Sequence, residues 1–256
     1  MEFLDCNISY GPDTMKGAFS GCPDIRSLSG QLTRAGISGG LVYYAMNEPI
    51  QGNAVAARDI LASRGENQPD APRLYGVWSI LPSCTGEIPP PASLPSEMKR
   101  NGISALTLNP LANRFLSCAT AVGDYLEMAQ ERAIPVLLNT GRGLAIESAE
   151  CLMREFRQLT AILTFDNCWP SDRLLRPFLE AYPNLCLDMA YMQTAGGLQD
   201  IVGKYSAQRI LFGSGYPECY MGAHMMVIKH VPISDADREL VAGGNLKRLI
   251  GEARYD

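Results

Sequence analysis

Histidine is nearly absent from this sequence. Only His224 and His230 occur among its 256 residues. Imidazole is a very common protein ligand for zinc and related metals, so the chain excludes a metal centre built from several histidines. Eight cysteines are present, but they are scattered and include no Cys-x-x-Cys pair. Neither a disulfide scaffold nor a structural zinc site is expected, and the cysteines are interpreted as reduced thiols.

Long hydrophobic runs and basic clusters are missing as well. No apolar run is long enough to span a bilayer, and the first residues, Met-Glu-Phe-Leu-Asp, lack the basic and apolar regions of a signal peptide. The formal charge is −5 without a basic stripe, which argues against nucleic-acid binding. We therefore expect a cytoplasmic protein with neither membrane nor nucleic-acid partners.

What the sequence does contain is a regular alternation of strand-like and helix-like segments. The length suits one barrel domain spanning residues 1–256, and 46% hydrophobic residues are ample for its core. Such alternation is typical of βαβ units. It predicts a (β/α)₈ TIM barrel, although a doubly wound sheet of eight strands would fit the same pattern. The predicted strands are Phe3–Ile8, Gly40–Tyr44, Leu74–Leu81, Ile103–Leu108, Pro135–Leu138, Ala161–Phe165, Leu185–Met189 and Arg209–Gly213.

The residues that follow these strands locate a candidate site. Active sites of such barrels lie at the C-terminal ends of the strands. The segments there are rich in amides and hydroxyls, with a few carboxylates and one arginine, Arg142. A planar guanidinium suits a carboxylate or phosphate. The pattern favours a site for a small polar or anionic molecule, while the alternative is that these ends are polar because they meet solvent.

The last predicted strand carries a family resemblance. Residues 209–217, Arg-Ile-Leu-Phe-Gly-Ser-Gly-Tyr-Pro, resemble the R-I-L-F-G-S-D-Y-P pattern of the metal-dependent amidohydrolase-related TIM barrels. Residues 244–250 are similar to that family's closing helix, and Phe3-Leu4-Asp5 resembles the start of its first strand. The resemblance covers the chain in element order and implies the (β/α)₈ barrel.

The departures from that family pattern fall on its chemistry. The first-strand H-x-H positions hold Asn7 and Ser9, the fifth-strand histidine position holds Asn139, and the sixth-strand position holds Asp166. The eighth-strand aspartate is replaced by Gly215. Asparagine, serine and glycine are poor zinc ligands. Without a metal there is no Lewis acid to lower the pKa of a bound water. No metal and no other cofactor is expected.

Three functions remain open. The first is a metal-independent hydrolase, or a related lyase or isomerase, that acts on a small polar or carboxylate-bearing molecule. Asp166 would be its acid or base, and its substrate would be bound by Asn7, Ser9, Asn139, Arg142 and Tyr216. The second is an inactive barrel that binds a small molecule or a protein partner. The third, an enzyme with relocated metal ligands, is disfavoured by the histidine count.

Two further expectations concern the thiols and the assembly. Cys84, Cys168 and Cys219 fall on the candidate side of the barrel, and His224, expected in the loop after strand eight, would be the base for a thiol site. The simpler interpretation is that these thiols are not activated. A homodimer is expected only because such barrels commonly self-associate.

Overall fold

The computed structural model describes residues 1–14, 21–65, 71–165, 172–192 and 194–256. Its centre is one sheet of eight parallel strands whose spatial order, β1 to β8, is the order of the sequence. The strands are β1 (Leu4–Tyr10), β2 (Gly39–Tyr44), β3 (Arg73–Ser79), β4 (Ile103–Thr107), β5 (Val136–Asn139), β6 (Ala161–Thr164), β7 (Leu185–Asp188) and β8 (Ile210–Leu211).

Helices connect the strands and surround the sheet. They are α1 (Ile25–Ala35), α2 (Pro49–Gly65), α3 (Leu94–Asn101), α4 (Pro110–Asn113), α5 (Ala119–Glu131), α6 (Ile146–Glu155), α7 (Asp172–Ala181), α8 (Gly197–Tyr205), α9 (Met221–His230), α10 (Asp235–Glu239) and α11 (Asn245–Glu252). Within the ranges that the structure describes, no helix is both long and apolar enough to cross a membrane.

Hydrogen bonds between the last and first strands close the sheet into a barrel. The Cys6 amide donates to the Phe212 carbonyl at 2.9 Å, and the Ser9 amide donates to the Tyr216 carbonyl at 2.9 Å. The Gly215 amide in turn donates to the Asn7 carbonyl at 3.1 Å. Closure confirms the (β/α)₈ TIM barrel over the doubly wound alternative.

Local signals set the ends of helix α1. The Asp24 side chain accepts a hydrogen bond from the Ser27 amide at 2.8 Å and thus satisfies one free N–H of the first turn. Gly36 ends the helix with a φ of 78°, a left-handed conformation that glycine adopts without steric cost. Leu28 and Leu32 are fully buried on the face that packs against the barrel.

The barrel interior has an apolar half and a polar half. The apolar half, here called the lower core, lies toward the N-terminal ends of the strands. Leu246 and Leu249 of α11 pack against it and seal that end of the barrel. Its strand residues are Leu4, Cys6, Leu41, Tyr43, Val77, Ala105, Leu137, Ile162, Cys186 and Leu211.

An irregularity in β1 decides which side chains reach the polar half. The pairing of β1 with β2 shifts register between Asp5 and Ile8. Cys6 faces the interior before the shift, and Asn7 and Ser9 face it afterwards. Ile8 packs outside, against the helices. Simple alternation from Cys6 would have directed Ile8 inward.

One predicted element was wrong: the segment that holds His224 is helix α9, not a loop. The predicted strands agree with the observed ones to within about two residues at each end, the usual uncertainty in assigning element ends. The eighth strand is only Ile210–Leu211, and the Phe212 amide after it donates to the Val241 carbonyl at 2.9 Å instead of continuing the ladder.

Candidate functional site

A cleft of about 560 Å³ opens at the C-terminal ends of the strands. Arg142, Asn109, Glu218 and Ser9 supply polar groups to its wall, while Leu111 and Met46 supply apolar surface. Ligand sites commonly combine a mainly apolar concave surface with a few such polar groups. The cleft is large enough for a small ring-containing molecule.

A smaller chamber of about 40 Å³ lies over the barrel interior beside the cleft. Arg142, Ser9 and Glu218 line both spaces. Asn7 and Asn139 line the chamber and are only 7% and 6% exposed. Polar groups of different strands therefore converge where the cleft meets the barrel axis.

The structure brings four of the predicted ligand-binding residues together and separates the fifth from them. Asn7, Ser9, Asn139 and Arg142 all line the chamber. The ring of Tyr216 packs instead against the core outside the barrel, and its hydroxyl lies beside Cys22. The predicted catalytic residue, Asp166, lies outside the described residues.

Arg142 is half-buried between the cleft and the chamber. Its guanidinium lies over the Tyr43 ring, 4.6 Å from the ring centroid. Burial lowers the pKa of Arg142, although the group remains a cation. Among the described residues no carboxylate forms an ion pair with it; Glu218 and Asp188 act on it only from a greater distance. A desolvated guanidinium without an adjacent carboxylate favours an anionic ligand.

Two buried carboxylates lie beneath the chamber. Asp188, at the end of β7, accepts a hydrogen bond from Asn7 Nδ2 at 2.7 Å and from the Ala190 amide at 2.8 Å. Asp5 accepts from the Asn7 and Ser214 amides at 2.9 and 3.0 Å and so ties β1 to the segment after β8. Burial raises the pKa of both carboxyls, that of Asp188 to about 7.

Tyr191 and Glu218 form the far side of the chamber. The Tyr191 hydroxyl donates to Glu218 Oε2 at 3.1 Å, and burial together with the Glu218 charge raises the pKa of Tyr191. Gly215 lies next to them with a φ of 67°. This left-handed conformation is costly for other residues, so the glycine at the family's aspartate position also suits the local backbone.

The ring nitrogens of His224 contact backbone oxygens, not a thiol, among the described residues, and the candidate thiol Cys168 lies outside those residues. His224 is buried in α9, and the backbone oxygens that it contacts belong to Ala190 and Tyr220. Cys22 is buried, and burial raises its pKa to about 11. Such a thiol is protonated near neutral pH and is a weak nucleophile.

The described residues at the family's ligand positions do not fit a metal ion. Asn7 directs its amide nitrogen to Asp188, Ser9 Oγ donates to the Tyr216 carbonyl at 3.4 Å, and Gly215 has no side chain. In the part of the chain that the structure describes, no three His, Cys, Asp or Glu side chains are grouped to hold a metal.

Several site residues were not predicted as ligand-binding residues. Tyr43 lies inside β2, and only its inward position would have shown that it supports Arg142. Asn109, which follows β4, donates to the Tyr43 hydroxyl at 2.8 Å. The contact between Asp188 and Asn7 joins the first and seventh strands, and nothing in the local sequence indicates it.

No family model matches the chain, and a search of curated proteins likewise gives no match. Solved structures match over almost the whole chain. An uncharacterized TIM-barrel protein from Bordetella bronchiseptica has a TM-score of 0.72 at 19% identity and covers 98% of this chain and 99% of its own.

Two other structures connect the fold to enzymes. A dihydroxybenzoic acid decarboxylase from Polaromonas, with bound manganese and the inhibitor 2-nitroresorcinol, has a TM-score of 0.68 at 16% identity, covering 98% of this chain and 97% of its own. An amidohydrolase II protein has a TM-score of 0.60 at 12% identity, covering 98% and 100%. These likenesses agree with the TIM-barrel fold that the order of elements predicted.

Proposed function

We propose that the protein binds a small carboxylate-bearing molecule in the cleft and acts on it as a metal-independent hydrolase or a related lyase or isomerase. The observation that carries the proposal is Arg142. Its half-buried guanidinium borders both spaces of the site and has no ion-pair partner among the described carboxylates. A ligand carboxylate would accept two parallel hydrogen bonds from it and supply the missing negative charge.

The rest of the cleft suits an aromatic or otherwise planar carboxylate. Tyr43 supports Arg142 from below, and Leu111, Met46 and Ala45 offer apolar contact along the wall. The polar amides of Asn7 and Asn139 would then face the substituents of the ring. The decarboxylase from Polaromonas, which shares the fold, acts on a molecule of this class by its name.

We assign the proton-transfer role to Asp166 because of its position in the sequence. Asp166 follows the sixth strand in the sequence, and in barrels of this kind the residues that follow the strands commonly carry the catalytic chemistry. A carboxylate there would take a proton from, or return it to, the reacting atom of the substrate. Asn7 and Asn139 would orient the substrate without taking part in proton transfer.

The second candidate is an inactive barrel that binds the same class of molecule. It is favoured by the chemistry of the altered positions, since Asn7, Ser9 and Gly215 keep the space of the family's site while removing its metal-binding and proton-accepting groups. The two candidates share the binding mode and differ only in turnover.

The test combines binding with turnover. A panel of benzoates, dihydroxybenzoates and N-acylated aminobenzoates, whose amide bond a hydrolase could cleave, is titrated by calorimetry. Loss of substrate is followed by chromatography, with the bound metal content measured in the same sample. We expect Arg142→Met to weaken carboxylate binding about ten- to a hundredfold, the usual range for a charge-assisted hydrogen bond. Arg114→Met, which removes an exposed charge near α4, is the matched control and should leave binding unchanged.

The outcomes separate the alternatives. Turnover without stoichiometric metal that is lost in Asp166→Asn, with binding retained, supports the enzyme. Binding without turnover supports the inactive barrel. Absence of binding across the panel, or equal binding by Arg142→Met and wild type, would overturn the proposed site. One tightly bound equivalent of metal required for turnover would overturn metal independence.

A further inference from the structure

The contact between Asp188 and Asn7 fixes more than the position of the amide. Asp188 Oδ2 lies 2.7 Å from Asn7 Nδ2, and Asp188 Oδ1 lies 2.8 Å from the Ala190 amide nitrogen. An ionised carboxylate only accepts hydrogen bonds. Above its pKa of about 7 Asp188 is ionised, and the atom of the Asn7 amide that faces it must then be the NH₂ group, because the alternative orientation would place two acceptors against each other.

The Asp188 carboxylate lies close to the backbone of Gly213, where only a glycine leaves it room. A Cβ atom at Gly213 would come within 1.9 Å of Asp188 Oδ1. The Cys6 thiol also donates to Asp188, and Asp5 is the nearest other carboxylate. Since Asp188 is 5% exposed and held by donors from three sides, it cannot turn away from Asn7 without losing them.

The other end of the amide faces the ligand space. Asn7 lines the chamber, and its Oδ1 has no hydrogen-bond partner among the described residues. That oxygen is also absent from the buried polar atoms that are sealed without a partner, so it reaches the open space. The carbonyl of Asn7 is thus presented to the chamber while its NH₂ group is directed to Asp188.

We infer that Asp188 is a positioning residue that makes Asn7 a hydrogen-bond acceptor at the floor of the site, and that the ligand is a carboxylate which also carries a hydroxyl or another donor. The ligand class rests on the proposed function, because Arg142 supplies the carboxylate contact. The orientation of the amide does not depend on it. Among carboxylates, the expected ligands are those with a hydrogen-bond donor directed into the chamber.

Asp188→Asn inverts the amide. In Asp188→Asn the hydrogen bond from the Ala190 amide is kept only if the oxygen of the new side-chain amide accepts it, in the position that Asp188 Oδ1 holds in wild type. The NH₂ group of the new amide then faces Asn7, which must turn its own carbonyl inward to accept the new donor. Asn7 would now present NH₂ to the chamber. The substitution is nearly isosteric, so the same pocket changes from acceptor to donor.

The first measurement needs no ligand. Side-chain amide spectra of ¹⁵N-labelled protein are recorded at about pH 8, above the pKa of Asp188, and Asn7→Leu identifies the Asn7 signal by its loss. In wild type we expect one Asn7 proton to be shifted downfield and protected from exchange with water. In Asp188→Asn both protons should exchange with water. Fast exchange in wild type, or an unchanged signal in the folded variant, would overturn the inference.

The second measurement compares the affinities of ligands that carry a hydrogen-bond donor with those of ligands that do not. Each positional isomer of aminobenzoate, a donor, is paired with the fluorobenzoate of the same position, which only accepts. We expect wild type to favour the amino compound at one position. In Asp188→Asn the ratio of the two dissociation constants should shift about tenfold or more toward the fluoro compound, because the hydrogen bond to the amino group is lost and two donors then face each other.

Asp124→Asn is the matched control. Asp124 is exposed on α5 and lines neither the cleft nor the chamber, so the variant removes the same charge without contacting Asn7. It should leave the ratio unchanged, and an unchanged ratio in folded Asp188→Asn would overturn the ligand class. If no benzoate binds while the amide spectra behave as expected, the proposed function fails and the positioning role stands. If benzoates bind but the spectra do not change, the positioning role fails and the binding site stands.

Discussion

The two halves of the barrel interior are built by the same strands but differ in the polarity of the side chains that fill them. The lower core is filled by apolar side chains, most of them aliphatic, and is sealed by Leu246 and Leu249. The other half, a few residues further along each strand, is lined by amides, hydroxyls and Arg142. The first half excludes water, which stabilises the barrel through burial of apolar surface. The second leaves polar groups accessible. We therefore expect stability and ligand binding to respond to different substitutions.

The largest expected effect is on stability and comes from the lower core. Leu211→Ala should lower the free energy of unfolding by about 2–5 kcal/mol, because it leaves a cavity in a fully buried cluster. Ligand affinity of the folded fraction should not change. Leu111→Ala is the same chemical change at a residue that is 78% exposed and lines the cleft.

Denaturant unfolding of both variants decides whether the two halves are separable. Leu111→Ala should cost less than about 0.5 kcal/mol, as is usual for exposed positions. Leu111→Ala should instead weaken ligand binding. Equal destabilisation by the two changes would contradict the division of the interior.

A smaller effect links the two halves through pH. The pKa of Asp188 is about 7 in the folded protein, whereas an aspartate in an unfolded chain has a pKa of about 3.9. The folded state thus binds the proton more tightly. The stability that this group contributes is complete below about pH 4 and is lost as the pH rises through about 7.

Unfolding curves at about pH 5 and pH 8 test this coupling. Wild type should lose stability between the two by an amount on the order of a few kcal/mol, the size of such a pKa shift. Asp188→Asn should lose less, although Asp5, whose pKa is also raised, acts in the same direction in both proteins. Parallel pH profiles for the two proteins would show that Asp188 is already ionised at low pH.

The smallest expected effect concerns two arginine–tyrosine pairs, one at each end of the barrel. Arg142 lies over Tyr43 at 4.6 Å, and Arg73 lies over Tyr75 at 5.3 Å. Tyr43→Leu should weaken benzoate binding a few-fold, since a cation–π contact contributes about 0.5–2 kcal/mol. Tyr75→Leu, at the sealed end, should leave the dissociation constant unchanged. A similar loss in both variants would indicate a general effect on the barrel.

The sequence was sufficient for the order of elements because parallel strands buried on both faces are short apolar runs. It also singled out Asn7 and Ser9, both from their place at the end of the first predicted strand and from the family resemblance. Alternation from Cys6 would have failed, because the register shift in β1 breaks it. Helix α9 was missed even though its buried residues, Met221, His224, Met225 and Ile228, follow helical spacing.

What the sequence could not show are contacts between distant segments. The bond from Asn7 to Asp188 spans 181 residues, and the stacking of Arg142 on Tyr43 joins strands that are far apart along the chain. Such contacts follow from closure of the barrel and from rotamers, not from local pattern. For the same reason Tyr216 was assigned to the ligand site although its ring packs outside the barrel.

The seal of the lower core has a consequence for the order of events during synthesis. Asn245, at the start of α11, donates to the Ala207 and Ile210 carbonyls, so this helix attaches next to the last strand while its leucines cover the interior. The ribosome makes it after all eight strands. Until it emerges, a nascent chain would expose the open end of the barrel to water, and a chaperone that recognises exposed leucine would find its target there in that interval.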